Sequence, residues 1–515
     1  WLCSAVFEQT LAMTAPRPRV VIVGGGTAGW MTAAAFARSL GGRCQLTLVE
    51  SDEIGTIGVG EASIPNLIEF NRALGLDENE FLRETGGSFK LGIEFVNWGA
   101  LGERYIHGFG QLGAAAQGLP FHHFWLRGRQ QGCATELGDY ALNTAAPRAA
   151  RFMRARPDMA GSPLAELAHA FHFDASRYAA FLRRYAEGRG VVRLEGRVSQ
   201  VTRRAEGGIA AIELANGHRI DGDFFIDCSG QRGLLIQQTL QAGFEDWRHW
   251  LPCDRALAVP SSAAEPLLPM TRATAHSAGW QWRIPLQHRI GNGHVYAGAF
   301  MPDDEAAALL LAHLDTAPLA EPRLIHFRTG RARQFWMDNC VAVGLSSGFL
   351  EPLESTSIHL IHMAVARILD FFPQGDLAHP DPADIAEYNA LTAREYDNIR
   401  DFLVLHYKLT RREDSEFWRY CRAMPVPDTL QRKLDLFAAN GRVIRHSDEL
   451  FAETSWVQVM LGQGLMPRGH HPFADQLSEP ELRDYLDHVR QVIQRCVQAM
   501  PDHTDYLRSQ GALAA

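Results

Sequence analysis

The chain has 515 residues, 46% of them hydrophobic and 21% charged, with a formal net charge of −9. That is enough apolar material for a large core and for more than one compact unit. The mild acidity argues against a nucleic-acid partner, which calls for a basic face, and no run of eighteen or more apolar residues exists to span a membrane.

In chain order, the opening "WLCSAVFEQTLA" carries Glu8 and no leading basic residue, so it makes a poor signal peptide. Met13 reads as the natural start, and residues 1–15 are treated as an upstream extension. "RVVIV" (19–23) is a buried-strand run, "AGWMTAAAFARSL" a helix, and "CQLTLVE" (44–50) the next strand. Together they open a parallel sheet. The middle of the chain mixes strands such as "VVRLEGRVSQVTR" and "DFFIDCSG" with turn residues, and beyond about residue 362 the pattern is helical. Eight cysteines are scattered without a CxxC pair, which predicts reduced thiols in a cytoplasmic protein and neither a disulfide frame nor a zinc site.

Gly24-Gly25-Gly26-Thr27-Ala28-Gly29 places GxGxxG between that first strand and its helix. Gly24 serves the tight turn, Gly26 the approach of a pyrophosphate and Gly29 the close packing of helix on strand. Glu50 ends the following strand, where it can take a ribose hydroxyl. The bland alternative is a glycine-rich turn with no ligand. Two later strands favour FAD over NAD: "DFFIDCSG", ending in Asp227 and Gly230, and "NCVAVGLSSGF" (339–349), running into a Gly/Ser loop. No second complete GxGxxG offers NAD(P)H a site of its own, so electrons are expected from another protein.

"SGFLEPLESTSIHLIH" (347–362) sets Glu351, Glu354, Ser355, Thr356 and Ser357 in an apolar run. A helix beginning near Ser357 leaves backbone N–H groups at 356–358 free to bind an anion, although a simple Ser or Thr cap would also explain the pattern. His359 and His362 lack a third ligand with suitable spacing, so core or cavity histidines are expected there and no metal. "GWQWRIP" (279–285) is a strand whose alternation turns Trp280 and Trp282 to one face.

"GGGTAGWM", "IGVGEASIP" (57–65), "SFKLGIEFVNW" (88–98), "GWQWRIP", "GFLEPLESTSIH" and "SWVQVMLGQG" (455–464) together resemble the flavin-dependent halogenases of the tryptophan-halogenase family, over residues 18 to 505. A further family pattern, F-x-x-P-x-x-S-x-G, is met at Phe349, Pro352 and Ser355 but ends in Ser357 where glycine is common. The resemblance implies an α/β fold: a Rossmann-like FAD-binding body over residues 16–365 and a largely helical substrate subdomain over 366–515. It extends the cofactor set to Val59, Gly60, Ala62, Val198, Asp227, Gly344, Leu345 and Ile358.

The implied chemistry is conversion of chloride or bromide and O₂ to hypohalous acid at reduced FAD, with the halide held near Thr356 and Ser357. Trp280 and Trp282 would form a wall between flavin and substrate. Lys90 matches the family's active-site lysine, hydrogen-bonding the acid or forming a haloamine. Glu354 matches its essential glutamate and Glu351 is taken as structural. His107 and Phe109 would form one face of an indole pocket and Trp456 the other. Where tryptophan-specific members carry tyrosines and a glutamate, this chain has Val443, Ile444 and Phe451. Glu449 and Glu453 are left as clamps, and indole or a simple substituted indole is the expected substrate. The implied partners are a separate NAD(P)H-dependent flavin reductase and, for the protein itself, a homodimer. The rival readings are an aromatic hydroxylase and a non-catalytic flavin-binding protein.

Overall fold

The structure is a computed structural model describing residues 17–53, 60–446 and 448–513. The expectations for residues 1–15 and for Val59 lie outside these residues. Strand β1 (Arg19–Val23), helix α1 (Thr27–Leu40) and strand β2 (Gln45–Glu50) form the predicted opening unit. They belong to a six-stranded sheet in which β1 runs parallel to β2 and to the strand Phe224–Asp227. That strand in turn pairs in parallel with Cys340–Ala342. Both faces of β1 are covered. Val20 and Ile22 join the main core, while Val21 and Val23 join a second cluster with Ile212 and Phe225. This two-sided burial is why "RVVIV" is apolar throughout and does not alternate.

A second sheet of seven strands includes β5 (Gly92–Val96), β6 (Arg104–Gly108), Thr271–His276, Gly279–Pro285 and Arg289–Tyr296. A three-stranded sheet sets β3 (Gly60–Ala62) and β4 (Ser88–Lys90) on either side of β7 (Ala170–Asp174). The predicted helical stretch begins with the helix Ser357–Asp370 and continues through the long helix Pro382–Lys408 to Glu453–Gly462 and Glu479–Ala499. Phe402, Trp456 and Ile493 from these helices share one buried cluster with Ile22, Trp280 and Ile361. The late helices therefore share the core of the sheets instead of building a separate one. None of the described helices is long and apolar enough to cross a membrane.

Candidate active site

The glycine-rich turn lines a cavity of about 650 Å³. A Cβ on Gly25 would lie 1.4 Å from the Glu50 carboxylate, and one on Gly29 would lie 1.8 Å from the Gly24 carbonyl. Both positions exclude any larger residue. A Cβ on Gly26 would meet nothing within 4 Å, so this is the point where a ligand's phosphates can approach the backbone. Gly24, Gly26, Thr27 and Ala28 of the turn line the cavity, with Glu50, Gly60, Ala62 and Val198 along its walls. Gly344, Leu345, Ser357 and Ile358 line it from the loop and helix after Cys340–Ala342. Glu50 is not wholly free for a ribose, because its Oε1 already takes the Arg193 guanidinium.

Two residues of the expected cofactor set do other work. Gly29 packs against Gly24 and is not among the described lining residues. Asp227 is fully buried and also does not line the cavity. Its carboxylate accepts from the Ser229 amide and hydroxyl and from the Leu235 and Ile236 amides, and so shapes the loop after its strand. Both oxygens are used. The acid at the end of this strand serves the turn, not a ligand.

Trp280 and Trp282 line the cavity from one face of the strand Gly279–Pro285, their rings 6.2 Å apart. The register sets Trp282 opposite Gly293 on the neighbouring strand, where a Cβ would lie 2.1 Å from the indole. The missing side chain is the space the ring occupies. Trp280 packs on Trp98, which contacts the His406 ring, and His406 Nε2 stands 2.8 Å from Glu354. A chain of aromatic rings, Trp280, Trp98 and His406, therefore links the cavity lining to Glu354.

Lys90 and Glu354 are both buried and are not among the described residues lining the cavity. The Lys90 ammonium donates to the Ser63 carbonyl at 3.0 Å and to the Ser355 hydroxyl at 2.8 Å, with the Phe109 ring 5.3 Å away. Burial pushes the amine down to about 7, against the pull of Glu354 and Glu61. For Glu354, burial pushes the carboxyl up, but His107 and His406 outweigh it and hold it down to about 2. His107 Nδ1 lies 2.9 Å from one carboxylate oxygen and 3.1 Å from the other. His107 thus meets the carboxylate as well as the aromatic cluster of Phe402 and Phe451. Trp456 meets the edge of Phe402, whose face is stacked on Phe451 at 3.7 Å.

Ser355 links the cavity to the buried Lys90. It lines the cavity, holds Lys90 and adopts φ +60°, an uncommon conformation for a residue with a side chain. It does not cap the helix Ser357–Asp370. Thr356 occupies the N-cap position without a side-chain cap bond, and its buried hydroxyl has no partner among the described residues. The capping explanation for this Ser/Thr run therefore fails. Glu351 accepts from the Trp280 indole at 3.0 Å and from the Tyr407 hydroxyl at 2.5 Å. His359 pairs with Glu395 at 3.0 Å, and among the described residues no cluster could hold a metal.

Ser63, Ser355 and His406 were not singled out from the sequence as partners of Lys90 and Glu354. Ser63 acts through a carbonyl, which any residue type would supply. His406 lies 52 positions from the carboxylate it touches, a span no local pattern crosses.

The tryptophan halogenase family model matches residues 19–479. Tryptophan 7-halogenase RebH of Lentzea aerocolonigenes is 34% identical over 96% of this chain and 98% of its own. Two flavin-dependent halogenases of known structure superpose with a TM-score of 0.92: Xcc4156 from Xanthomonas campestris, 48% identical over 96% of this chain and 98% of that one, and BrvH from Brevundimonas, 45% identical over 97% and 100%. Agreement along nearly the whole of both partners in each pairing leaves one conclusion: the chain belongs to the tryptophan halogenase family of flavin-dependent halogenases.

Proposed function

We propose that this enzyme oxidises chloride or bromide to hypohalous acid in the cavity and passes it to an indole-type ring held between Lys90 and Glu354. The cavity suits FAD, with an open backbone face at Gly26 and the Trp280 and Trp282 rings both in its lining. When bound as FADH₂ in the presence of O₂, that cofactor supplies the two-electron oxidation of halide. Reduced flavin comes from a separate reductase. The free N–H groups at the start of the helix Ser357–Asp370 and the unpartnered Thr356 hydroxyl suit a halide ion. One observation carries the reading: Lys90 and Glu354 are both buried and are not among the described residues lining the cavity, yet Lys90 is bonded to Ser355, which does line it.

The wall keeps the substrate away from the oxidant's source while a small acid passes. Lys90 receives the acid, as a hydrogen-bond donor or as a haloamine. With the ammonium as donor, hydroxide leaves as the halogen bonds to the ring carbon and takes a Lys90 proton to become water; with the haloamine, water has already left on forming the N–halogen bond, and the amine regains a proton as the halogen moves to the ring. In either case the Glu354 carboxylate stabilises the ring cation and accepts the displaced ring proton. The halogenated position follows from which carbon lies between the two groups.

For the substrate, we favour indole or a simple indole over free tryptophan. Glu449 is occupied by Lys433, whose ammonium lies 2.9 Å from it, and by the His446 amide, so it has little left to hold a substrate ammonium. The deciding assay combines the protein with FAD, an NADH-dependent flavin reductase, indole or tryptophan, and chloride or bromide as sole halide. Halogenated indole is expected, with the lower KM for indole. An oxygenated product formed equally without halide would establish a hydroxylase instead.

A further inference from the structure

We propose that Glu351 is a positioning residue that latches the Trp280 indole in the wall and ties it to the long helix Pro382–Lys408. This rests on the proposed role of that wall. Glu351 is fully buried. Its Oε2 accepts both the Trp280 indole N–H and the Tyr407 hydroxyl, while its Oε1 has no partner among the described residues. A carboxyl is an expensive group to place in a core, and an apolar residue of similar volume would pack there at lower cost. The return is orientation, since one oxygen receives two donors from different elements.

The two wall residues are secured differently. Trp282 is held sterically, because its ring fills the space above Gly293. Trp280 faces Val295 across the sheet and packs on Trp98, whose ring is 5.4 Å from Tyr407. Among the described residues, its indole N–H bonds to Glu351 alone. Tyr407 follows His406, the residue beside Glu354, so the latch runs from the wall to the helix that supports the carboxylate. Burial pushes the Glu351 carboxyl up to about 7, against its two hydrogen bonds. Both of its donors are neutral groups, so an uncharged acceptor of the same shape should serve.

The test compares Glu351→Gln, Glu351→Leu and Tyr407→Phe in the full chain. The first readout needs no cofactor: hydrogen exchange of the Trp280 indole N–H in ¹⁵N-tryptophan-labelled protein, with the signal assigned by Trp280→Phe. Glu351→Leu should speed exchange by about tenfold, the equivalent of one buried hydrogen bond. Tyr407→Phe should give a smaller increase and Glu351→Gln less than a twofold change. The second readout is the share of hypohalous acid captured by a β-diketone scavenger in bulk, relative to ring product. It should rise several-fold in the leucine variant and stay near wild type in the glutamine variant. Wild-type exchange and partition in a folded Glu351→Leu protein would overturn the proposal, as would failure of Glu351→Gln alongside it. If the leucine variant does not fold, unchanged exchange in Tyr407→Phe overturns it instead. Absence of any halogenated product from the wild type would defeat the halogenase reading alone and leave the exchange test standing.

Discussion

Replacing Glu354 by glutamine keeps the shape of the side chain and removes its charge. The carboxylate is 1% exposed, so bulk-water screening does not apply. At an effective dielectric near 20, a unit charge about 4 Å from a developing cation is worth about 4 kcal/mol. His107 and His406 already draw on that charge, and if half of it reaches the ring about 2 kcal/mol remains. The expected loss in kcat for ring halogenation then lies between about thirtyfold and a thousandfold. Generation of the oxidant should continue, because Glu354 lies outside the cavity lining. Flavin oxidation and scavenger-trapped hypohalous acid should stay within twofold of wild type while halogenated indole falls. A glutamine variant that halogenates within threefold of wild type would refute the role given to the carboxylate. Parallel loss of trapped acid would refute the separation of the two compartments.

Lys90 is protonated below about pH 7 and neutral above it. A neutral amine with both hydrogens committed to Ser63 and Ser355 has a free lone pair for halogen, so halogenation should show a limb rising through about pH 7. Glu354, Glu61 and His172 are the neighbouring titratable groups, and a falling limb would assign the ammonium as a hydrogen-bond donor. Because the folded value lies below the ordinary 10.5, the unfolded chain binds the proton more readily. Lys90 therefore costs stability below about pH 7, and the penalty fades as pH rises towards 10.5; Lys90→Met should raise Tm at pH 6 more than at pH 10. Gly25→Ala drives a Cβ into the Glu50 side chain, and titration of FAD should show binding weakened by at least about tenfold while far-ultraviolet circular dichroism is unchanged. Isothermal titration should find indole binding more tightly than tryptophan, and Lys433→Ala, which releases Glu449, should narrow that gap.

The features legible in the sequence are those that close over short distances. The strand, turn and helix of residues 19–40 lie within one local pattern, and the alternation of Trp280 and Trp282 is a property of adjacent residues. Lys90 and Glu354 were recognised through whole motifs, since a lysine between apolar neighbours does not announce a partner 264 positions away. The helix start at Ser357 was readable, but the roles of its hydroxyls were not: Ser355 turns to Lys90 instead of to the helix. Asp227 misled for a related reason. An acid closing a parallel strand looks the same whether it faces a ligand or the amides of its own loop, and only the path of residues 229–236 distinguishes the two.

The nesting of Trp282 over Gly293 constrains how such an enzyme can be altered. A smaller side chain at 282 alone would leave a slot above a bare backbone, and a larger one at 293 alone would push the ring out of place. Redesign for bulkier oxidants or substrates therefore has to change the two positions together, and libraries that randomise either one singly should return mostly inactive clones. Homologues that have lost the ring at 282 should carry a filled position at 293.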